Sequence, residues 1–229
     1  MPYRTLKADC VIETINALAL RIGERFPDSG LRQVCLELGE VARGCAGEAE
    51  RLSRPNLFIR TPVYLVWATG ALVLALIASG LDYHGFSLEA AKFVQILEPA
   101  MNLAVLVGIG VLGLGRLEMR WKRARAINML NALRSIAHVV DMHQLTKDPY
   151  RRGRVLQPTP HSPPAGLEGP LLERYFSYCS EMLSLAGKLA ALLAQCVCDP
   201  EVADVASDIE DLTTGLSRKI WQKITLIPQ

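Results

Sequence analysis

Residues 97–126 read LEPAMNLAVLVGIGVLGLGRLEMRWKRARA. A glutamate and a proline open an apolar run, and Gly108, Gly110, Gly113 and Gly115 punctuate its end. Arg116, Arg120, Lys122, Arg123 and Arg125 follow at once. An apolar run closed by a basic block is the pattern of a membrane span with a cytoplasmic anchor, the cations resting on anionic headgroups. This run extends from about Phe93 to Gly115.

A second stretch of the same kind precedes it. From Thr61 to Leu81 the chain reads TPVYLVWATGALVLALIASGL, 21 residues without a charge. At ~1.5 Å per residue that crosses a hydrocarbon core of ~30 Å. Pro62 suits a first helical turn, and Tyr64, Trp67 and Tyr83 fall near the expected interfaces. The connector DYHGFSLEAAK is polar, with Ser87 placed to cap the second helix and Glu89 in its first turn. Arg51, Arg54 and Arg60 flank the first span and the basic block flanks the second, whereas the connector offers only Lys92. The expected topology therefore has both termini in the cytoplasm of a bacterial-type inner membrane and the short connector outside.

Glu98 and Asn102 lie one helical turn apart on the same face. Counted from Phe93, the second span holds Glu98 within the outer leaflet, where ionisable groups are costly and functional. Counted from Pro99, it leaves Glu98 at the wet interface and Pro99 in an ordinary first-turn position, which is the plainer reading. Ala71, Ala75 and Ser79 on the first span and the glycines on the second make surfaces that another helix can approach closely. They suit packing within the hairpin or between copies, and a homo-oligomer is expected.

The rest of the chain is helical in pattern, so the fold class is all-α: a two-span transmembrane hairpin with a cytoplasmic helical bundle. Half of the 229 residues are hydrophobic but only 6% are aromatic, and the formal net charge is +2. Nothing in that balance asks for a nucleic-acid partner. The opening MPYRTLKADCVIE mixes charges of both signs without an apolar run, so no secretory signal is expected. Val11, Ile15, Leu18, Ile22 and Phe26 recur at helical spacing, FPDSG breaks the helix, and Leu31, Val34, Leu38, Val41 and Cys45 form a second stripe. Residues 1–54 thus read as a helical hairpin ahead of the membrane segment 55–116.

Past Gly115 no glycine or proline occurs until Pro149, so the second span is expected to continue as a helix through 117–148. Its apolar residues fall on two faces: Met129, Leu133, Ile136 and Val140 on one, Ala132, Val139 and Met142 on the other. That predicts a helix sandwiched between neighbours. A linker with six prolines, 149–170, has polyproline character. Residues 171–229 form a C-terminal helical hairpin. Its first helix is interrupted by Lys188 and amphipathic throughout, unlike a third span. Its second follows the start signal Asp199-Pro200-Glu201.

Chemistry is sparse. The six cysteines have no CxxC or Cys/His zinc spacing and sit at apolar positions of helices, as reduced structural thiols do. Asn131, Arg134, His138 and Asp141, spaced 3-4-3, form one polar line along the long helix and are the candidate ligand- or partner-binding residues. His143 lies ~140° around the helix from His138, so no metal set converges. It is expected in the core. No phosphate loop, nucleophile elbow, HExxH motif or carboxylate pair is present, and neither metal nor cofactor is expected.

The expected function is non-enzymatic and effector-like. The bundle senses a cytoplasmic protein or small ligand and couples it, through the helix that continues the second span, to assembly or permeabilisation of the lipid bilayer. The alternative is a passive membrane scaffold that recruits a cytoplasmic partner. A membrane-bound hydrolase using His138 and Asp141 is the weakest reading.

Overall fold

The computed structural model describes residues 6–53, 61, 64–72, 75, 90–147, 161, 166–167 and 169–227, with the side chains at 53, 90–100, 103 and 104 outside that description. The described residues are helical apart from short turns and caps, and the fold class is all-α. Five long helices run in the order α1 (Ala8–Arg25), α2 (Gly30–Ser53), α3 (Ala90–Leu145), α4 (Pro170–Cys196) and α5 (Pro200–Ile224). The chain divides into two compact units, one of Met1–Ser53 with Arg123–Gln229 and one of Arg54–Lys122.

In the first unit each helix buries the stripe its spacing dictates. Helix α1 turns Val11, Ile15, Leu18, Ala19 and Ile22 inward. It ends at Phe26, because a residue before proline is pushed out of the helical region; Phe26 has φ −136° and ψ 65°. The Phe26 amide still donates to the Ile22 carbonyl at 2.7 Å. Three residues later the Ser29 hydroxyl accepts from the Leu31 amide at 3.1 Å and opens α2. Leu31, Val34, Cys35, Leu38, Ala42 and Cys45 of α2 are buried in turn.

Helix α4 is the centre of this bundle. Buried residues occur around most of its circumference, among them Phe176, Cys179, Met182, Leu183, Leu189 and Leu193, the mark of a helix with neighbours on all sides. Its closest companion is α5, which buries Val202, Ala206, Ile209, Thr213, Leu216 and Ile220. The two helices meet at Gly187, where a Cβ atom would lie 2.9 Å from Thr213 Oγ1. The final part of α3 adds Ala126, Leu130, Leu133, Ala137 and Val140 to one continuous core.

Only one face of that part of α3 is covered, which corrects the expectation of a sandwiched helix. Val139 is 44% exposed and Met142 63%. Three thiols pack as small hydrophobes: Cys35, Cys45 and Cys179 are buried, and desolvation pushes each up to about 12. Cys10 and Cys198 are exposed instead.

In the second unit, residues 64–72 are helical and α3 opens at Ala90. Pro99 is therefore an interior residue of α3 and not a first-turn one, and Ser87 and Glu89 lie outside the described residues. Tyr64, Leu65, Trp67, Leu72, Met101, Val105, Leu106, Ile109 and Leu112 are all between 59% and 70% exposed. Among the described residues no helix is long and apolar enough to cross a membrane. Much of the expected first span, 61–81, lies outside the described residues. Helix α3 itself runs unbroken from Ala90 to Leu145, beginning in the second unit and ending in the first.

Candidate functional site

The polar line on α3 does not assemble into a site. Asn131 and His138 are exposed, and no side-chain hydrogen bond or ion pair joins any two of Asn131, Arg134, His138 and Asp141; their side chains find other partners or none among the described residues. Arg134 instead lies 3.7 Å from Asp208 of α5, with both side chains well exposed. Asp141 accepts from the Gln144 amide nitrogen one turn on. Of the membrane pair, Asn102 is exposed, and the Glu98 side chain lies outside the described residues.

Two constellations that spacing does not announce lie along the part of α3 that belongs to the bundle. The first is where α3 enters it. Arg123 binds two carboxylates at the start of α5: its Nε and Nη2 donate to Asp199 Oδ2 at 2.9 and 2.7 Å, and its Nη1 donates to Glu201 at 2.6 Å. Asp199 Oδ1 meanwhile accepts from the amides of Glu201 and Val202, capping α5. Burial raises the Asp199 carboxyl pKa, but the Arg123 and amide hydrogen bonds outweigh it and hold the group below its ordinary value. Arg125 reaches Glu48 of α2, donating from Nη2 to Oε1 at 2.9 Å. Its Nε lies 2.8 Å from Oε2 without the angle of a hydrogen bond, so charge alone holds that half of the contact. Neighbouring arginines thus fasten α3 to α5 and α2.

The second constellation is at the far end of α3. Gln144 is almost wholly buried, and its side-chain carbonyl and backbone carbonyl accept from Lys223 Nζ of α5 at 2.7 and 3.1 Å. The ammonium thereby meets carbonyls of the last turn of α3, the negative end of the helix. Beside it a cleft of about 650 Å³ opens between the α1–α2 turn, the end of α3, Leu167 and Tyr175. Arg25, Ser29, His143, Thr146 and Lys147 line it together with Asp28 and the apolar Pro27 and Met142.

The local sequence explains how the cleft forms. Gly30 opens α2, and a Cβ there would stand 2.8 Å from His143 Cε1, so the imidazole approaches α2 only because the position is glycine. His143 is half-buried at this wall, which corrects its expected place in the core. Tyr175 is buried and donates from its hydroxyl to the His143 carbonyl at the long distance of 3.5 Å. Burial is the main reason its phenol is pushed up to about 12. Lys147 Nζ lies 5.6 Å from the Tyr175 ring centre, and Phe26 packs edge-on against that ring.

Sequence reasoning passed over Arg25, Lys147, Gln144 and Lys223. The one local signal was Gln144, an uncharged polar residue in register with the buried positions Ile136, Ala137 and Val140. The rest depend on chain segments far apart in sequence. No protein-family model, curated protein or solved structure matches this chain.

Proposed function

We propose that the chain is a two-span membrane protein whose helical bundle binds a cytoplasmic partner or small ligand and passes that event to the bilayer through α3. The observation that carries this reading is the solvent-facing apolar surface of the second unit. Tyr64, Leu65, Trp67, Val105, Leu106 and Ile109 are each at least 60% exposed. In water such a surface is an aggregation hazard; in hydrocarbon it is the expected finish of a lipid-facing helix. The uncharged run 61–81 and the basic block after Gly115 support the same reading, with both termini on the cytoplasmic side of an inner membrane. Open space above Gly108, Gly110 and Gly113 suits close approach by a second copy. The continuous α3 and its arginine ties to α2 and α5 give the bundle a mechanical link to the membrane segment. Extraction tests it: the chain should float with lipid vesicles and stay in the pellet after alkaline carbonate. Release as a soluble monomer would end the membrane reading.

A scaffold without any permeabilising action is favoured by one observation. Val139, Met142 and Leu145 are exposed at three-residue intervals on the uncovered face of α3, as a partner-docking stripe would be. A membrane-potential dye during overexpression separates the two, since a scaffold leaves the potential intact.

A further inference from the structure

We propose that the cleft beside His143 is a binding site for a phosphate monoester. This rests on the reading of the bundle as a ligand-binding module and names the class of ligand. Two cations of fixed charge, Arg25 and Lys147, reach the cleft, and the imidazole of His143 adds a donor. Among the described residues Asp28 is the only carboxylate in the lining, and no ion pair joins it to Arg25 or Lys147.

Arg21, Arg123, Arg125 and Arg134 each have an acidic partner on another helix. Arg25 has none among the described residues, and neither have Arg32, Arg43, Arg174 and Arg218; of these unpaired cations Arg25 is the one that lines the cleft, beside Lys147 and His143. The first turn of α2 also faces this region, and it carries no acidic residue to offset the positive end of the helix. Two fixed cations against the one carboxylate of Asp28 leave a net positive lining, which suits a multiply charged anion such as phosphate better than a single carboxylate.

Volume narrows the class further. About 650 Å³ is far more than an inorganic phosphate fills and falls within the range of small-molecule pockets. The apolar Pro27, Met142 and Leu167 can cover the organic body of an ester while Arg25, His143 and Lys147 hold its phosphate. Along α3, His143 lies 20 residues past Arg123, about 30 Å at ~1.5 Å per residue. A ligand bound there acts on the end of α3 opposite to its arginine ties.

The test uses the full chain in detergent, with AMP, inorganic pyrophosphate and adenosine as probes in titration calorimetry. AMP should bind and adenosine should not. Arg25→Gln and Lys147→Gln should each weaken AMP at least fivefold, while Lys219→Gln, on the exposed side of α5, should leave it unchanged. Gly30→Ala, which crowds His143, should also weaken AMP without lowering the helix content. A parallel arm uses phosphatidylcholine vesicles with and without phosphatidic acid. Binding in detergent identifies a soluble ester; binding only to phosphatidic acid that is lost in the Arg25→Gln/Lys147→Gln double variant identifies a lipid headgroup. Absence of binding in both arms overturns the site, as does binding that the cleft variants leave unchanged. Flotation of the double variant without AMP reports on membrane attachment by itself, so failure of the phosphate site and failure of the membrane reading give different results.

Discussion

One oxygen of Asp199 caps α5 and the other holds Arg123 of α3, so a single carboxylate serves two helices. Asp199→Ala removes both functions and should lower the unfolding free energy by about 2 kcal/mol, a cap plus a charged hydrogen bond. Asp199→Asn keeps a capping oxygen and should cost less at neutral pH. Because the folded carboxyl is held below its ordinary value, its stabilising contribution is complete above an unfolded pKa of about 4 and is lost as pH falls through the folded one. Urea melts of wild type and Asp199→Asn should therefore converge as the pH is lowered from about 5; a gap unchanged down to pH 3 would refute the charge argument. The cap itself is legible in Asp199-Pro200-Glu201 because capping is local. Its tie to Arg123 is not, since the two residues are 76 positions apart. The same limit divides the α3 polar residues. Helical spacing aligns Asn131, Arg134, His138 and Asp141, yet burial decides which positions matter for stability, and burial belongs to the neighbours. His138→Ala, at an exposed position, should change stability by no more than about 0.5 kcal/mol. Gln144→Ala, which strips Lys223 and Asp141 of a shared partner, should cost about 1–3 kcal/mol. Equal losses at both positions in thermal melts would count against this division.

Helices are where the sequence speaks most directly. The 3-4 stripes of α1 and α2, the break at Phe26-Pro27 and the absence of glycine or proline between Arg116 and Leu145 each have a local physical cause, and the corresponding elements follow. The second apolar face of α3 does not follow. Val139 and Met142 have helical spacing like any core pair, but an apolar residue is as free to face outward as inward, so spacing cannot say that a neighbour exists. The unbroken α3 leads to a prediction of its own. Two glycines inserted after Glu118 cost ~1 kcal/mol each in helix propensity and turn everything beyond them by ~200° at ~100° per residue. The bundle should keep its melting temperature, because its core lies wholly within the first unit. Any response of the membrane to overexpression, read with a potential dye, should disappear. A response that survives the insertion would show that α3 is not the coupling element.

For the molecule as a whole, the distribution of Lys and Arg fixes the expected sidedness. A thiol introduced by His84→Cys should react with a membrane-impermeant maleimide in intact cells, whereas Cys198 should react only after permeabilisation. The opposite pattern would invert the topology. Cys198 is a fair reporter because it is exposed on the bundle, as is Cys10. The other thiols offer something else. Cys35, Cys45 and Cys179 come from α1's neighbour and from the central helix, are enclosed by the core, and have almost no thiolate at neutral pH. A thiol reagent therefore cannot reach them unless the helices part. In mass spectra of briefly labelled protein, the first adducts should be on Cys10 and Cys198, and adducts on the three enclosed thiols should arrive together if the bundle opens as one cooperative unit. Staggered arrival, with Cys35 and Cys45 ahead of Cys179, would mean that α2 detaches from the bundle first. The chain thus carries a built-in stopwatch for its own unfolding.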